Sequence, residues 1–600
     1  MNTSRITVYE SKLAKYNNEF IEVKKQHAAV SIARLTVFVL FLLSWFWVFP
    51  SVNRAIGVVL GILMFVVFLV LLKVHKKLDD KRSYLESIIA INKNERDCCN
   101  GKFSAFNGGA EFTDSNHPYS YDIDLFGNGS LFQYINRTIT PAGKKVLAKW
   151  LSETPLGKKT IRLNQIAVKE LSPLVDFRQE FQTIGKLHHS NDDEDKLIGR
   201  WLSRPSFFGN KIFTQIMLWL IPAINLGLLF LMIIGQVNWS VLTFIIVINL
   251  MIIGSRLKKF NQVYNLLSKS HVNLKKMCKL FGLLENQKFE SKLLCTLQNS
   301  FFKEKQSASE QINRLTKLLD GLDNRNNILL AFVLNSFLLW DWQYLWRIEK
   351  WQKSHQLDYK DWQKSVATFD ALLSLSNMAF NNPDFTYPKI VERGYSFKAY
   401  GIGHPLLLKT IRICNDIEIE QSPRYVIVTG ANMAGKSTFL RTIAINLVLA
   451  GCGSAVCAKK MELLPLPLHS SMRAEDSLMK NESYFFAELK RLQRITKELE
   501  GGKKLFIILD EILRGTNSED KRKGSIGFVN KITAQSAFGL VATHDLELAR
   551  LAEQKPDVFK ALCFEVGFKN NELQFDYKLQ PGITKNMNAS FLMKRMGIIE

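Results

Sequence analysis

The sequence predicts a multidomain chain: two apolar helical hairpins, an all-α region between and after them, and a carboxy-terminal α/β domain. Three observations carry this reading. The 600 residues exceed what a single hydrophobic core organises. Four long apolar runs have basic flanks, and beyond residue 388 strand-like and helix-like patterns alternate around one stretch, YVIVTGANMAGKST at 425–438. Composition adds a constraint on partners. Lys and Arg number 79 against 55 Asp and Glu, a net charge of +24, which favours an anionic partner such as nucleic acid or a phospholipid surface. The eight cysteines are scattered, with only Cys98-Cys99 and Cys452/Cys457 close together, which argues against a disulfide framework or a zinc spacing and for reduced thiols in the cytosol.

Taken in order, residues 1–30 read as a polar cytoplasmic helix without a cleavable signal pattern, because the apolar region begins too late. Residues 31–75 form the first transmembrane hairpin. Residues 35–49 are apolar throughout, Pro50 to Arg54 breaks the run, and 55–72 is long enough to cross a bilayer. Arg34 snorkels at the start of the first arm. Residues 83–211 make a helical domain, in which Asn128-Gly129 marks a turn and Val146, Leu147, Trp150 and Leu151 recur at helical spacing after Thr140-Pro141. Residues 212–254 are the second hairpin, arms 212–234 and 237–253, with Gly235-Gln236 at its tip and Asn225 as its main polar exception.

Lys73, Lys76, Lys77, Lys81 and Arg82 follow the first pair; Arg200, Arg204 and Lys211 precede the second, and Arg256, Lys258 and Lys259 follow it. The positive-inside rule then predicts a multi-pass protein of the cytoplasmic (inner) membrane, with everything except two hairpin tips in the cytoplasm. Residues 255–388 continue as long helices. The aromatic belt FLLWDWQYLWRIEKW at 337–351 has helical spacing and reads as a packing face. A Pro- and Asn-containing linker at 381–388 leads into the α/β domain, 389–600.

The chemistry is concentrated in that domain. The pattern G-x-x-x-x-G-K-[ST] ends a strand and opens a helix, so Gly430, Ala431, Asn432, Met433, Ala434, Gly435, Lys436, Ser437 and Thr438 form a phosphate-binding loop for ATP. Backbone N–H groups and the positive helix end hold the phosphates, Lys436 is the cation, and Ser437 is a Mg²⁺ ligand. Further on, the apolar strand LFIIL ends in Asp510-Glu511. Asp510 is the second metal residue and Glu511 the general base that orients the attacking water. FGLVAT ends at His544, beside the γ-phosphate on the same sheet edge. Loop, carboxylate pair and histidine come in the order expected of an ATP-binding-cassette type site.

These residues resemble the ATPase domain of the MutS family of DNA mismatch-repair proteins. The matching pieces are Gly403-His404-Pro405-Leu406, TGANMAGKST, Ser483-Tyr484-Phe485-Phe486-Ala487-Glu488, LDEILRGTNSED, ATHDLELA and YKLQPGITKNMNAS. Upstream, DLFGNGSLFQYINRTITPAGKKVLAKWL is similar to the family's core domain and ALLSLSNMAF to the end of its lever helices. The resemblance implies that Ser483 reaches the γ-phosphate bound by a second subunit, that Arg514-Gly515-Thr516 joins two composite ATP sites in a homodimer, and that His544 is a switch histidine. It also implies non-sequence-specific DNA binding.

The departures from the family pattern are specific. Ala431 and Ala434 replace a proline and a glycine, which negative backbone angles tolerate. Arg412 occupies a position where an aromatic ring often stacks on adenine, and Arg473 one where glycine is usual. The mismatch-recognition domain with its Phe-x-Glu wedge has no counterpart, and the chain resembles the membrane-bound branch of the family. The resulting expectation is a membrane-anchored ATP hydrolase that uses ATP and Mg²⁺, pairs with itself, contacts the bilayer and binds DNA in repair or recombination. The alternative is an ATP-driven membrane device for signalling or transport that binds no DNA; LSGGQ is missing and the spans are nearly free of charge, which weakens its transport form.

Overall fold

The computed structural model describes residues 2–51, 54–187, 192–205, 208, 212–255, 257–303, 306–392, 394, 396–431, 434–473, 484–569 and 572–584. The chain divides into two compact units. One comprises residues 1–138, 144–178 and 371–600, the other 139–143 and 179–370.

The first unit begins with α1 (Asn2–Ser51) and α2 (Arg54–Cys99). Expected as a polar helix followed by a separate arm, residues 2–51 are one helix, because neither glycine nor proline interrupts the sequence before Pro50. α1 and α2 run antiparallel, with Phe38 against Phe68, Phe41 against Phe65 and His27 against His75. The polar end of α1 packs into the unit. Tyr9 is buried against Phe380, and its hydroxyl donates to Asn381 Oδ1 at 2.7 Å.

Around that contact lies a charged network. Glu95 accepts from Arg137 and, at 2.9 Å each, from the Asn377 and Asn381 amides. Burial raises the Glu95 carboxyl, but the guanidinium and the two amides outweigh it and hold it below its ordinary range. The short helices α3 (Leu131–Ile135), α4 (Pro141–Ser152) and α5 (Lys158–Leu171) follow, then α6 (Val175–Leu187).

The second unit contains α7 (Asp192–Leu202), α8 (Ile212–Ile233), α9 (Trp239–Gly254), α10 (Leu257–Asn286), α11 (Lys292–Asn299), the small antiparallel pair β1 (Phe302–Lys303) and β2 (Gln306–Ser307), α12 (Ala308–Leu322) and α13 (Ile328–Leu338). Helix α14 (Trp340–Asn381) ends the helical region. Between α8 and α9 the chain turns tightly: Gly235 has φ 79°, and the Gly235 and Gln236 N–H groups donate to Met232 and Leu231 carbonyls. The aromatic belt packs inward. Leu345 and Ile348 are buried, Trp351 stacks on Trp201, and Trp351 Nε1 donates to the Gln311 carbonyl.

Among the described residues, three stretches are long and apolar enough to cross a membrane, lying in Arg5–Ser44, Val58–Cys99 and Gln215–Ile233, and little or none of their most apolar windows is buried. The fourth expected arm is shorter. α9 has 16 residues, about 24 Å of helix, less than the ~30 Å apolar layer.

The α/β part of the first unit is built on a six-stranded sheet, three of whose strands come from apolar sequence runs. β6 (Tyr425–Gly430), β9 (Leu505–Asp510) and β10 (Ala537–Ala542) are buried at every residue, as parallel strands covered on both faces must be. With β8 (Leu468–Ser471), β11 (Phe559–Lys569) and β12 (Glu572–Pro581) the order is β12-β11-β6-β10-β9-β8, antiparallel only at β12. Gly539 in β10 admits no side chain, since a Cβ there would lie 1.8 Å from the Ile507 carbonyl. Helices α16 (Tyr484–Glu500) and α17 (Ser518–Thr533) cover one face through Leu492, Ile495, Val529 and Ile532. A smaller sheet of β3 (Lys389–Ile390), β4 (Phe397–Ile402), β5 (Asn415–Ile419) and β7 (Lys460–Leu463) has the order β3-β7-β4-β5. The helix after the loop is α15 (Lys436–Cys452), and α18 (Leu546–Ala549) and α19 (Leu551–Gln554) follow β10.

Candidate active site

Sheet order decides the site. β10 lies between β6 and β9, with Ala542 level with both Val428 and Asp510, so Gly430, Asp510 and His544 emerge at one carboxyl edge. This is where ligands bind in parallel α/β sheets.

The loop turns on two glycines. Gly430 packs so closely on β11 that a Cβ would meet the Phe564 carbonyl at 2.9 Å. Gly435, φ 100°, is the N-cap of α15, and a Cβ there would meet the Tyr577 ring at 2.9 Å. Ala431 is not among the residues with positive φ, so its side chain is accommodated, and Ala434 is buried. Asn432, Met433 and Ser483 lie outside the described residues.

Lys436 is buried, and its ammonium donates to the Gly430 and Ala431 carbonyls at 2.6 and 3.0 Å. Burial lowers its pKa, while Glu511 and Asp510 pull the other way. Ser437 Oγ donates to Asp510 Oδ2 at 2.6 Å. The other carboxylate oxygen, Asp510 Oδ1, is buried without a hydrogen-bond partner. Burial raises the Asp510 carboxyl, against the Ser437 bond and Arg514. A buried oxygen left unsatisfied beside a hydroxyl fits a hard divalent cation such as Mg²⁺. Thr438 follows in the first turn of α15.

Glu511 stands in the left-handed region, φ 48°, with Leu513 at φ 62°. Its carboxylate is 3.4 Å from His544 Nδ1 and 3.4 Å from the Arg514 guanidinium, which also lies 3.8 Å from Asp510. Lys521 approaches the other ring nitrogen of His544 at 3.5 Å. The strained turn is held by Glu488, whose carboxylate accepts from the Leu513 and Arg514 N–H groups at 2.6 and 3.2 Å. Sequence reading placed Glu488 in a matching segment but gave it no task; acceptors for the N–H groups of a positive-φ turn are the missing signal.

A cavity of about 420 Å³ opens between the loop and β4–β5, lined by Ile402, His404, Ile411, Ile413, Phe564 and Tyr577. Arg412, expected where adenine would stack, does not line it. Its guanidinium is buried, donates to the Leu407 carbonyl, pairs with Asp384 at 3.3 Å and lies over Phe385. The alternating neighbours Ile411 and Ile413 face the cavity instead. Arg473 has a role too: its backbone N–H donates to Asp122, and its side chain pairs with Asp124 in the DIDLFGNG segment. Asp122 also accepts from Ser470, Met472 and Arg491, which fastens that segment beside β8.

A family model for MutS domain V matches residues 426–594. The chain is 30% identical over 237 residues to the DNA mismatch repair protein MutS of Ehrlichia chaffeensis, covering 39% of this chain and 29% of that protein. It is 29% identical over 251 residues to the MutS of Thermotoga maritima, with 41% and 31% covered, and 29% over 238 residues to human MutS protein homolog 4, with 37% and 24% covered. The matched stretch therefore spans less than a third of each relative's length. The domain V match contains the loop, the carboxylate pair and the histidine, and over residues 426–594 the chain is similar to that MutS domain.

Proposed function

We propose that the chain is a membrane-anchored ATPase of MutS type that hydrolyses ATP at composite sites between two copies of itself and binds DNA without sequence specificity. The carrying observation is the convergence of Lys436, Ser437, Asp510, Glu511 and His544 on one sheet edge. The N-terminus of α15 and the loop N–H groups bind the phosphates, with Lys436 neutralising charge as it moves to the leaving oxygens. Ser437 and Asp510 would hold Mg²⁺, which when bound offsets the charge of the phosphates. Glu511 takes the proton of the attacking water, and His544, 3.4 Å from it, keeps its carboxylate aimed. Ile411, Ile413 and Tyr577 provide an apolar slot for the base. Ser483 of a second copy would complete each site.

Anchoring is supported by the exposed apolar faces of α1, α2 and α8, and DNA binding by the net charge of +24 together with the mismatch-repair names of the relatives. Two measurements on the detergent-solubilised full chain test the reading. Lys436→Ala should lose ATP retention on a filter. Duplex and branched DNA should be retained at low salt and released steeply as salt rises. ATP turnover without DNA retention at any salt concentration would favour the membrane device that binds no DNA.

A further inference from the structure

Helix α13 (Ile328–Leu338), ILLAFVLNSFL, carries no charge and plays no part in the site above. Its first half shows apolar side chains outward: Ile328 and Leu329 are 82% and 81% exposed, and Phe332 and Val333 more than half. Water does not favour such a surface on an ordinary helix. At Leu339, φ 49°, the chain bends by 79° into α14.

The ends of α13 are closed by side chains, not left to solvent. Asn327 caps the start by accepting from the Leu330 N–H. At the other end, Asn225 of α8 donates to the Phe337 carbonyl and Asn249 of α9 to the Ser336 carbonyl, both at 2.8 Å. Asn335 accepts from the Asp341 N–H and caps α14. Asn225 and Asn249 are buried polar side chains within long apolar sequence runs. Helix carbonyls need such partners where water does not reach them.

Both flanks of α13 are tied to the same end of the α8–α9 hairpin. Before it, Asp323 accepts from Tyr264 on α10, the helix that follows α9. After it, Gln343 donates to the Leu218 carbonyl and Arg347 lies over Trp219, both in the second turn of α8. Eleven residues make about 16 Å of helix, half an apolar layer. We infer that α13 is a re-entrant membrane element: it lies in the acyl-chain region beside α8 and α9 without crossing, with Ile328, Leu329, Phe332 and Val333 against lipid and Asn225 and Asn249 closing its carboxyl end. This rests on the proposed membrane anchoring, and its test separates the two.

The full chain is reconstituted in phosphatidylcholine–phosphatidylglycerol vesicles containing a phospholipid with a diazirine on its acyl chain, irradiated, and mapped by mass spectrometry. Label is expected on 328–333 as well as on the outward residues Trp219, Phe230 and Phe244 of the hairpin. Label on the hairpin but none on 328–333 overturns the inference and leaves the anchor standing; label on neither removes both. With Asn225→Leu and Asn249→Leu together, label on 328–333 should fall while that on Phe230 and Phe244 holds, and undiminished label would overturn the closing role of the two amides.

Discussion

Ser437 Oγ donates to Asp510 Oδ2 at 2.6 Å, joining the first turn of α15 to the end of β9 across 73 residues of sequence. The bond sets two oxygens side by side and leaves Asp510 Oδ1 without a partner. Asp510→Asn halves the negative oxygen character of this pair while keeping its shape. ATP turnover should fall roughly 100-fold, and the Mg²⁺ concentration for half-maximal rate should rise about tenfold. Phosphate release across a Mg²⁺ titration reads both.

Glu488 acts through the turn it holds, not on the nucleotide. Glu488→Ala frees the Leu513 and Arg514 N–H groups and lets Glu511 drift, so kcat should drop roughly 10- to 100-fold with KM nearly unchanged. Glu488→Gln keeps one acceptor oxygen and should recover much of the rate. Steady-state kinetics of the two variants separate positioning from collapse of the fold.

Tyr577, φ 52°, places its ring over Gly435 at the mouth of the cavity. Removing it with Tyr577→Ala should weaken ATP binding about fivefold by loss of ring contact alone, with a smaller effect on inorganic triphosphate. Equal loss for both ligands would assign the ring to the phosphates.

His404 faces the same cavity, and burial, with Arg441 and Arg412 nearby, pushes its pKa down to about 4. The unfolded chain, with an ordinary histidine near 6.5, then binds the proton more readily than the folded one between those values. Stability should fall as pH drops from about 6.5 to about 4, by at most about 3 kcal/mol, and the His404→Asn chain should lack this component. Thermal midpoints of both proteins across that range measure it.

In the second unit Asp370 accepts from the Ile139 and Thr140 N–H groups and the Thr140 hydroxyl, and burial pushes its carboxyl up to about 6. Asp370→Ala leaves three buried donors unpaired and should cost about 2–4 kcal/mol. A fall in the unfolding midpoint without change in ATP affinity is the expected signature.

The proposed catalytic edge was legible in the sequence because each of its groups ends an apolar strand: Gly430 after YVIVT, Asp510 after LFIIL, His544 after FGLVAT. What escaped was whatever depends on distant partners. Asp122 meets Ser470 and Arg491 across some 350 residues, and no local pattern announces it. Arg412 stands where the family often has an aromatic ring, yet its side chain turns toward Asp384 and leaves Ile411 and Ile413 at the cavity. Asn225 stood out as polar in an apolar run, but its purpose depends on α13, whose eleven residues are too few to read as a span. The merging of residues 2–51 into one helix follows from a missing breaker, a signal that was present and outweighed by the composition change.

The most direct measurement is phosphate release from ATP by Glu511→Gln beside the unmodified chain, with nucleotide retention measured on the same samples. Steady turnover by the unmodified protein, a loss of at least about 100-fold in the variant, and undiminished ATP retention in both are expected. Turnover that survives the substitution would contradict the role given to Glu511, and retention that vanishes with it would contradict the separation of binding from hydrolysis on which the proposed mechanism stands.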